Sequence, residues 1–117
     1  MTASQEPFKR ISVEEAKQML DTGDSVMVDV RALDEWQSGH VSGAVHVPVD
    51  DILTRVDELP DDKNLLFICQ AGVRSALAAE MAAAMGRSPE ILFNVEQGTP
   101  IWIEREHSHN SRGRNAF

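Results

Sequence analysis

Hydrophobic spacing along the chain switches repeatedly between strand-like and helix-like periods. After a polar lead-in at residues 1–7, Phe8 to Ile11 suits a short first strand. Ser12 opens a helix: Ser12 and Glu15 match a capping box, Val13, Ala16, Met19 and Leu20 recur at helical spacing, and Gly23 supplies the stop. Ser25 to Val30 is β-branched and almost continuously apolar, as in a strand covered on both faces. Arg31 to Gly39 reads as a loop with a short helix. The next segment is too rich in glycine for a helix, so a short strand is placed at Ala44 to Val47, closed by Pro48. Apolar residues at 49, 52, 53, 56 and 59 predict a helix that ends before Pro60.

The second half repeats this alternation. Asn64 to Ile68 is a buried strand, Arg74 to Met85 an alanine-rich helix terminated by Gly86, and Ile91 to Val95 a last strand. Thr99-Pro100 starts a final helix that turns Ile101 and Trp102 inward. Strands and helices joined by short loops predict an α/β fold: a small parallel sheet of about five strands with helices on both faces. Residues 8–106 form the domain and 107–117 a polar, flexible tail with little periodicity. In such sheets sites lie beyond the C-terminal strand ends, where Asp29 and Cys69 both fall.

Composition changes the picture only slightly. A chain of 117 residues, 42% hydrophobic and 26% charged, suits one domain with its own core. Its net charge of −8 disfavours nucleic acid and anionic membrane surfaces, since no basic field offsets phosphate repulsion. No apolar run is long enough for a membrane span and the first residues do not resemble a signal peptide, so a cytoplasmic setting is expected.

The single cysteine, Cys69, cannot form an internal disulfide, and no ligand cluster for a structural metal accompanies it. It is either a buried hydrophobe or a reactive thiol. It ends a buried strand and precedes a glycine-containing loop and a helix start, Cys69-Gln-Ala-Gly-Val-Arg-Ser75. Backbone N–H groups and the positive end of a helix dipole stabilise a thiolate or a bound anion at such a place.

Four stretches carry a resemblance to a known family: Asp29-Val-Arg31 with Glu35-Trp36; Gly39-His-Val-Ser-Gly-Ala44 running to Pro48; the loop Cys69 to Ser75; and Gly98 with Trp102. In that order they resemble a single-domain rhodanese, a sulfurtransferase fold. The resemblance implies that Cys69 accepts sulfur from a small anionic donor such as thiosulfate, or from a protein persulfide, and passes it to cyanide or a cellular thiol. It implies no metal and no organic cofactor. Tyrosine-phosphatase loops are similar but hold one more residue between cysteine and arginine, whereas four residues, Gln70 to Val73, separate them here. A tighter ring suits one sulfur atom better than a tetrahedral phosphate or arsenate. A non-enzymatic module that carries sulfur or binds a partner is the alternative of a different class.

Each candidate residue has a functional and a plain reading. Gln70, Ala71, Gly72 and Val73 would act through backbone amides, with Gly72 allowing close approach. Arg74 binds the donor's anionic end or pairs with a carboxylate near the helix start. Ser75 contacts the sulfur or caps the helix. The resemblance gives Asp29, Arg31 and Glu35 a bracing role, with Glu35 as a partner for Arg31, and gives His40 a structural place in its turn rather than that of a catalytic base. His46, His107 and His109 are expected to be structural or solvated, and Trp36 and Trp102 to pack. Gln70 stands where many active members carry arginine, which weakens the pull on thiosulfate, and Gln97 stands where many have a second glycine beside Gly98.

Overall fold

Alternating side chains on the central strand decide the layers on either side of it, because successive residues of a strand point to opposite faces. The structure, a computed structural model, describes residues 6–105 and, beyond them, the backbone of 109–111 and 114–115. In strand β5, Asn64–Ile68, Leu65 and Phe67 enter one apolar layer and Leu66 and Ile68 the other. Cys69 continues the alternation on the side of Leu65 and Phe67. Each large side chain removed from water in this way contributes roughly 1.5–3 kcal/mol.

Five strands form one parallel sheet in the order β1-β6-β5-β2-β4, with β1 at Lys9–Ile11, β2 at Ser25–Asp29, β4 at Val45–His46 and β6 at Leu92–Val95. Register places Asp29 beside Ile68 and His46 beside Asp29, so the chemistry-bearing residues gather at one end of the sheet. One face is covered by α3, Ile52–Arg55, and α4, Val73–Ala84. On the other lie α1, Val13–Asp21, and α5, Thr99–Glu104, which buries Trp102. The alanines of α4 explain its close seat, since Ala78, Ala79 and Ala82 are buried with no side chain to hold the helix off the sheet. Ser12 caps α1 with the expected reciprocal bonds to Glu15. Gln97 accepts the N–H of Val13 at 2.8 Å, so it satisfies an otherwise orphan donor of the first helical turn.

Some expectations are corrected. The segment 49–59 is not one helix: 3₁₀ turns at Val49–Asp51 and Val56–Glu58 flank the single α-turn of α3. Apolar spacing shows which residues face inward, and a 3₁₀ turn presents nearly the same residues inward as an α turn. His40–Val41 forms a two-residue strand, β3, that the glycine-rich sequence concealed. It pairs antiparallel with β7, His109–Ser111, which pairs in turn with β8, Arg114–Asn115. Within residues 107–117, the described positions 109–111 and 114–115 are extended backbone in this second, small sheet. The remaining residues of that stretch, and positions 1–5 of the lead-in, lie outside the described residues.

Where β2 ends, Asp29 and Arg31 form a buried ion pair. Arg31 Nη2 donates to Asp29 Oδ2 at 2.7 Å and to the Gly39 carbonyl at 2.7 Å, and the Arg31 N–H reaches Asp29 Oδ1 at 3.0 Å. The pair fixes the β2 end to the turn before β3. Removing one partner leaves the other charge buried, so Asp29→Ala is expected to cost about 3–5 kcal/mol in urea unfolding. The exposed Arg55→Ala should cost under about 1 kcal/mol.

Candidate active site

Cys69 is 1% exposed, yet its sulfur is surrounded by donors. The N–H of Gly72 points at Sγ from 3.1 Å and that of Ser75 from 3.4 Å, and the Ser75 hydroxyl oxygen lies 3.3 Å away. Burial pushes the thiol pKa up, whereas the Ser75 hydroxyl and the N–H groups of Ser75, Ala71 and Gly72 pull it down. The downward pulls win, and the thiol sits below its ordinary value. The loop amides thus converge on one sulfur atom at the N-terminus of α4.

That curl depends on contact with the turn that follows β6. Gly72, at φ +92°, has no room for a side chain: a Cβ there would lie 2.5 Å from the Glu96 carbonyl oxygen. At Gly98, φ +85°, a Cβ would lie 2.0 Å from the Gln70 carbonyl oxygen. Thr99 donates both its N–H, at 2.9 Å, and its hydroxyl, at 3.2 Å, to the Cys69 carbonyl. Asn94, buried in β6, donates Nδ2–H to the Gly72 carbonyl at 3.1 Å and accepts the Ser75 hydroxyl at 2.6 Å. Asn94 and Thr99 were missed in the sequence. A polar residue within the apolar run Ile91 to Val95 was the one available signal.

Arg74 and Glu35 correct the expected pairing. Glu35, on α2 at Leu33–Ser38, does not pair with Arg31 but accepts both terminal nitrogens of Arg74 at 2.7 and 2.9 Å. The Arg74 bonds hold the Glu35 carboxyl down to about 2, against the opposing push of burial, and the Ala32 N–H adds to them. Arg74 is therefore bound to a carboxylate across the rim rather than standing as a free cation. Ser75 caps nothing, because Gly72 occupies the N-cap position of α4. His40 Nδ1 lies 2.8 Å from the Trp36 carbonyl, and its ring stacks on Trp36 at 3.5 Å. His46 stacks near the same indole at 4.7 Å, with Nε2 2.7 Å from the Arg31 carbonyl. Gln70, Ala71 and Val73 are exposed. Among the described residues no group of three or more His, Cys, Asp or Glu side chains is arranged to hold a metal ion. No described helix is long and apolar enough to cross a membrane.

The parallel α/β domain thus presents one donor-ringed thiol to a helix N-terminus. Comparison with known proteins specifies the family: the model for the rhodanese-like domain matches residues 12–105. The chain belongs to the rhodanese-like family. It is 34% identical over 93 residues to a putative sulfur carrier protein, YrkF of Bacillus subtilis, covering 79% of this chain and 49% of that protein. It is 33% identical over 95 residues to thiosulfate sulfurtransferase GlpE of Pseudomonas savastanoi, covering 81% of this chain and 87% of the relative. Its structure is similar to a rhodanese-like domain protein from Staphylococcus aureus, with a TM-score of 0.72, 30% identity and coverage of 81% and 91%. At 24% identity, the human single-domain sulfurtransferase TSTD1 shares the fold, with a TM-score of 0.73 and coverage of 82% and 96%. The chain spans about half the length of YrkF and of the Mycobacterium tuberculosis transcriptional regulator Rv0324, which it also matches.

Two outcomes follow from this geometry. Gly98→Ala is expected to drive the turn off the loop, raising amide exchange of residues 70–75 by about tenfold or more, as local opening replaces global unfolding. Glu35 has a lower pKa folded than unfolded, so its ionic contribution is fully present above about 4.5 and is lost as pH falls toward about 2. The destabilisation caused by Glu35→Gln, about 1 kcal/mol for a partly screened pair, should shrink across that window in urea titrations.

Proposed function

We propose that this domain transfers sulfane sulfur through a persulfide on Cys69. The observation that carries the reading is the convergence of the Gly72 and Ser75 N–H groups on Cys69 Sγ. Such a cradle stabilises a thiolate before attack and an anionic outer sulfur afterwards. In the forward step the thiolate attacks the outer sulfur of a donor such as thiosulfate. A new S–S bond forms as the donor's S–S bond breaks, and the electron pair leaves with sulfite. A thiophile, cyanide or a cellular thiol, then takes the terminal sulfur and Cys69 returns as thiolate. The chemistry needs no metal or organic cofactor, and a reducing compartment such as the cytoplasm keeps the thiol available.

The rim bears on the choice of donor. Arg74 meets an anion as one half of an ion pair with Glu35, and Gln70 adds no charge. Attraction for a dianion then rests mainly on backbone amides and the α4 dipole, which makes a protein persulfide a donor as well suited as thiosulfate. A second reading, a sulfur-carrying module within a larger assembly, is favoured by the similarity to the putative carrier YrkF.

Incubation with thiosulfate should add one sulfur by intact mass, removable by cyanide and absent in Cys69→Ser. Wild-type protein that takes up no sulfur from thiosulfate or from a protein persulfide overturns the proposal. Rapid loading from the protein persulfide with slow turnover of thiosulfate selects the carrier reading.

A further inference from the structure

The hydrogen bonds behind Cys69 contain one proton too few. Asn94 is wholly buried, and its orientation is fixed: the Gly72 carbonyl can only accept, so the Asn94 amide nitrogen must face it at 3.1 Å. The amide oxygen therefore faces Ser75, and an amide oxygen can only accept. The Ser75 hydroxyl has a single proton, which at 2.6 Å belongs to Asn94 Oδ1. Toward Cys69 Sγ, 3.3 Å away, the same oxygen then presents a lone pair. That arrangement receives the proton of a neutral thiol well. It serves a thiolate badly, because a thiolate wants the hydroxyl to turn and donate, and turning leaves a buried Asn94 oxygen without a donor.

We propose that Asn94 is a positioning residue that holds the Ser75 hydroxyl proton away from Cys69, favouring the uncharged inner sulfur over the free thiolate. The backbone N–H groups of Gly72 and Ser75 pull toward the charged form, and the Ser75 hydroxyl adds to that pull only as far as Asn94 releases its proton. Restraint of this kind has chemical use, since a thiol driven far below ambient pH is abundant as thiolate but a weak nucleophile. If the persulfide reading holds, a second consequence rests on it. The inner sulfur of a persulfide carries no formal charge and needs no hydroxyl proton, so the Ser75–Asn94 bond survives loading intact. Asn94 then disfavours the empty thiolate without disfavouring the loaded state, and biases the cycle toward retained sulfur.

Other ionisable groups lie on the elements packed around this loop and stay constant in the test. They are the Asp29–Arg31 pair at the end of β2, His46 beside it on β4, the Glu35–Arg74 pair between α2 and α4, and Glu96 after β6. The chain has one cysteine and no tyrosine, so thiolate absorbance in the far ultraviolet reports Cys69 alone. Asn94→Leu keeps the volume and removes both the acceptor of the Ser75 hydroxyl and the donor to the Gly72 carbonyl, a loop contact whose loss the Ser75→Ala background reports separately. It should lower the apparent Cys69 pKa by about one unit, or tenfold in thiolate fraction below the pKa, the scale of one charge-assisted hydrogen bond. In a Ser75→Ala background the same substitution should shift nothing, because the hydroxyl through which Asn94 acts is gone. An equal shift in both backgrounds, an upward shift, or no shift in the wild-type background overturns the proposal. Should Asn94→Leu not fold, Asn94→Ala removes the same contacts without filling the site and is read the same way. The titration needs no sulfur donor, so its outcome is independent of whether Cys69 takes up sulfur.

Discussion

The contact between the loop at residues 69–75 and the turn after β6 is the constraint on which the site depends. A seven-residue loop curls around one sulfur atom only if its backbone is held from outside, since its own amides are committed to Sγ and to the first turn of α4. Gly72 against Glu96 and Gly98 against Gln70 supply that hold at distances no side chain permits. Thr99 and Asn94 then use the proximity, one on the Cys69 carbonyl and the other on the Gly72 carbonyl. The cradle is therefore a product of two strands, β5 and β6, whose parallel register brings both loops to the same edge of the sheet.

Charge is distributed by the same logic. In a chain of net charge −8, Arg31 and Arg74 are each bound to a carboxylate: Arg31 to Asp29 in the interior and Arg74 to Glu35 nearer the surface. The first pair is a buried anchor that fixes the end of β2 to the Gly39 turn. The second ties α2 to the first turn of α4. Neither arginine stands unpaired, and oriented backbone N–H groups lie directly against the sulfur. Their field is fixed by the backbone and acts at short range, where it discriminates by size and fit more than by net charge.

Legibility in the sequence followed the range of the interactions. The order of strands and helices, the Ser12 cap, the inward face of the alanine helix and the position of Cys69 at a strand end rest on local periodicity and were readable. The broken helix at 49–59 and the strand at His40–Val41 were not, because one is a matter of turn type and the other of pairing with residues about seventy positions away. The partner of Glu35 was misread for a related reason. Arg31 is near it in sequence, but Arg74, 39 residues away, is near it in space.

By itself, the sequence determined an α/β domain with one thiol before a helix N-terminus and a four-residue spacing from that thiol to Arg74. Those features depend on residue type and short-range spacing alone. Only the tertiary structure decided that Arg74 is neutralised, that Ser75 does not cap the helix, and that its hydroxyl is shared between Cys69 and Asn94. A hydroxyl proton goes to the nearest acceptor, and which acceptor is nearest is settled when β6 is laid beside β5.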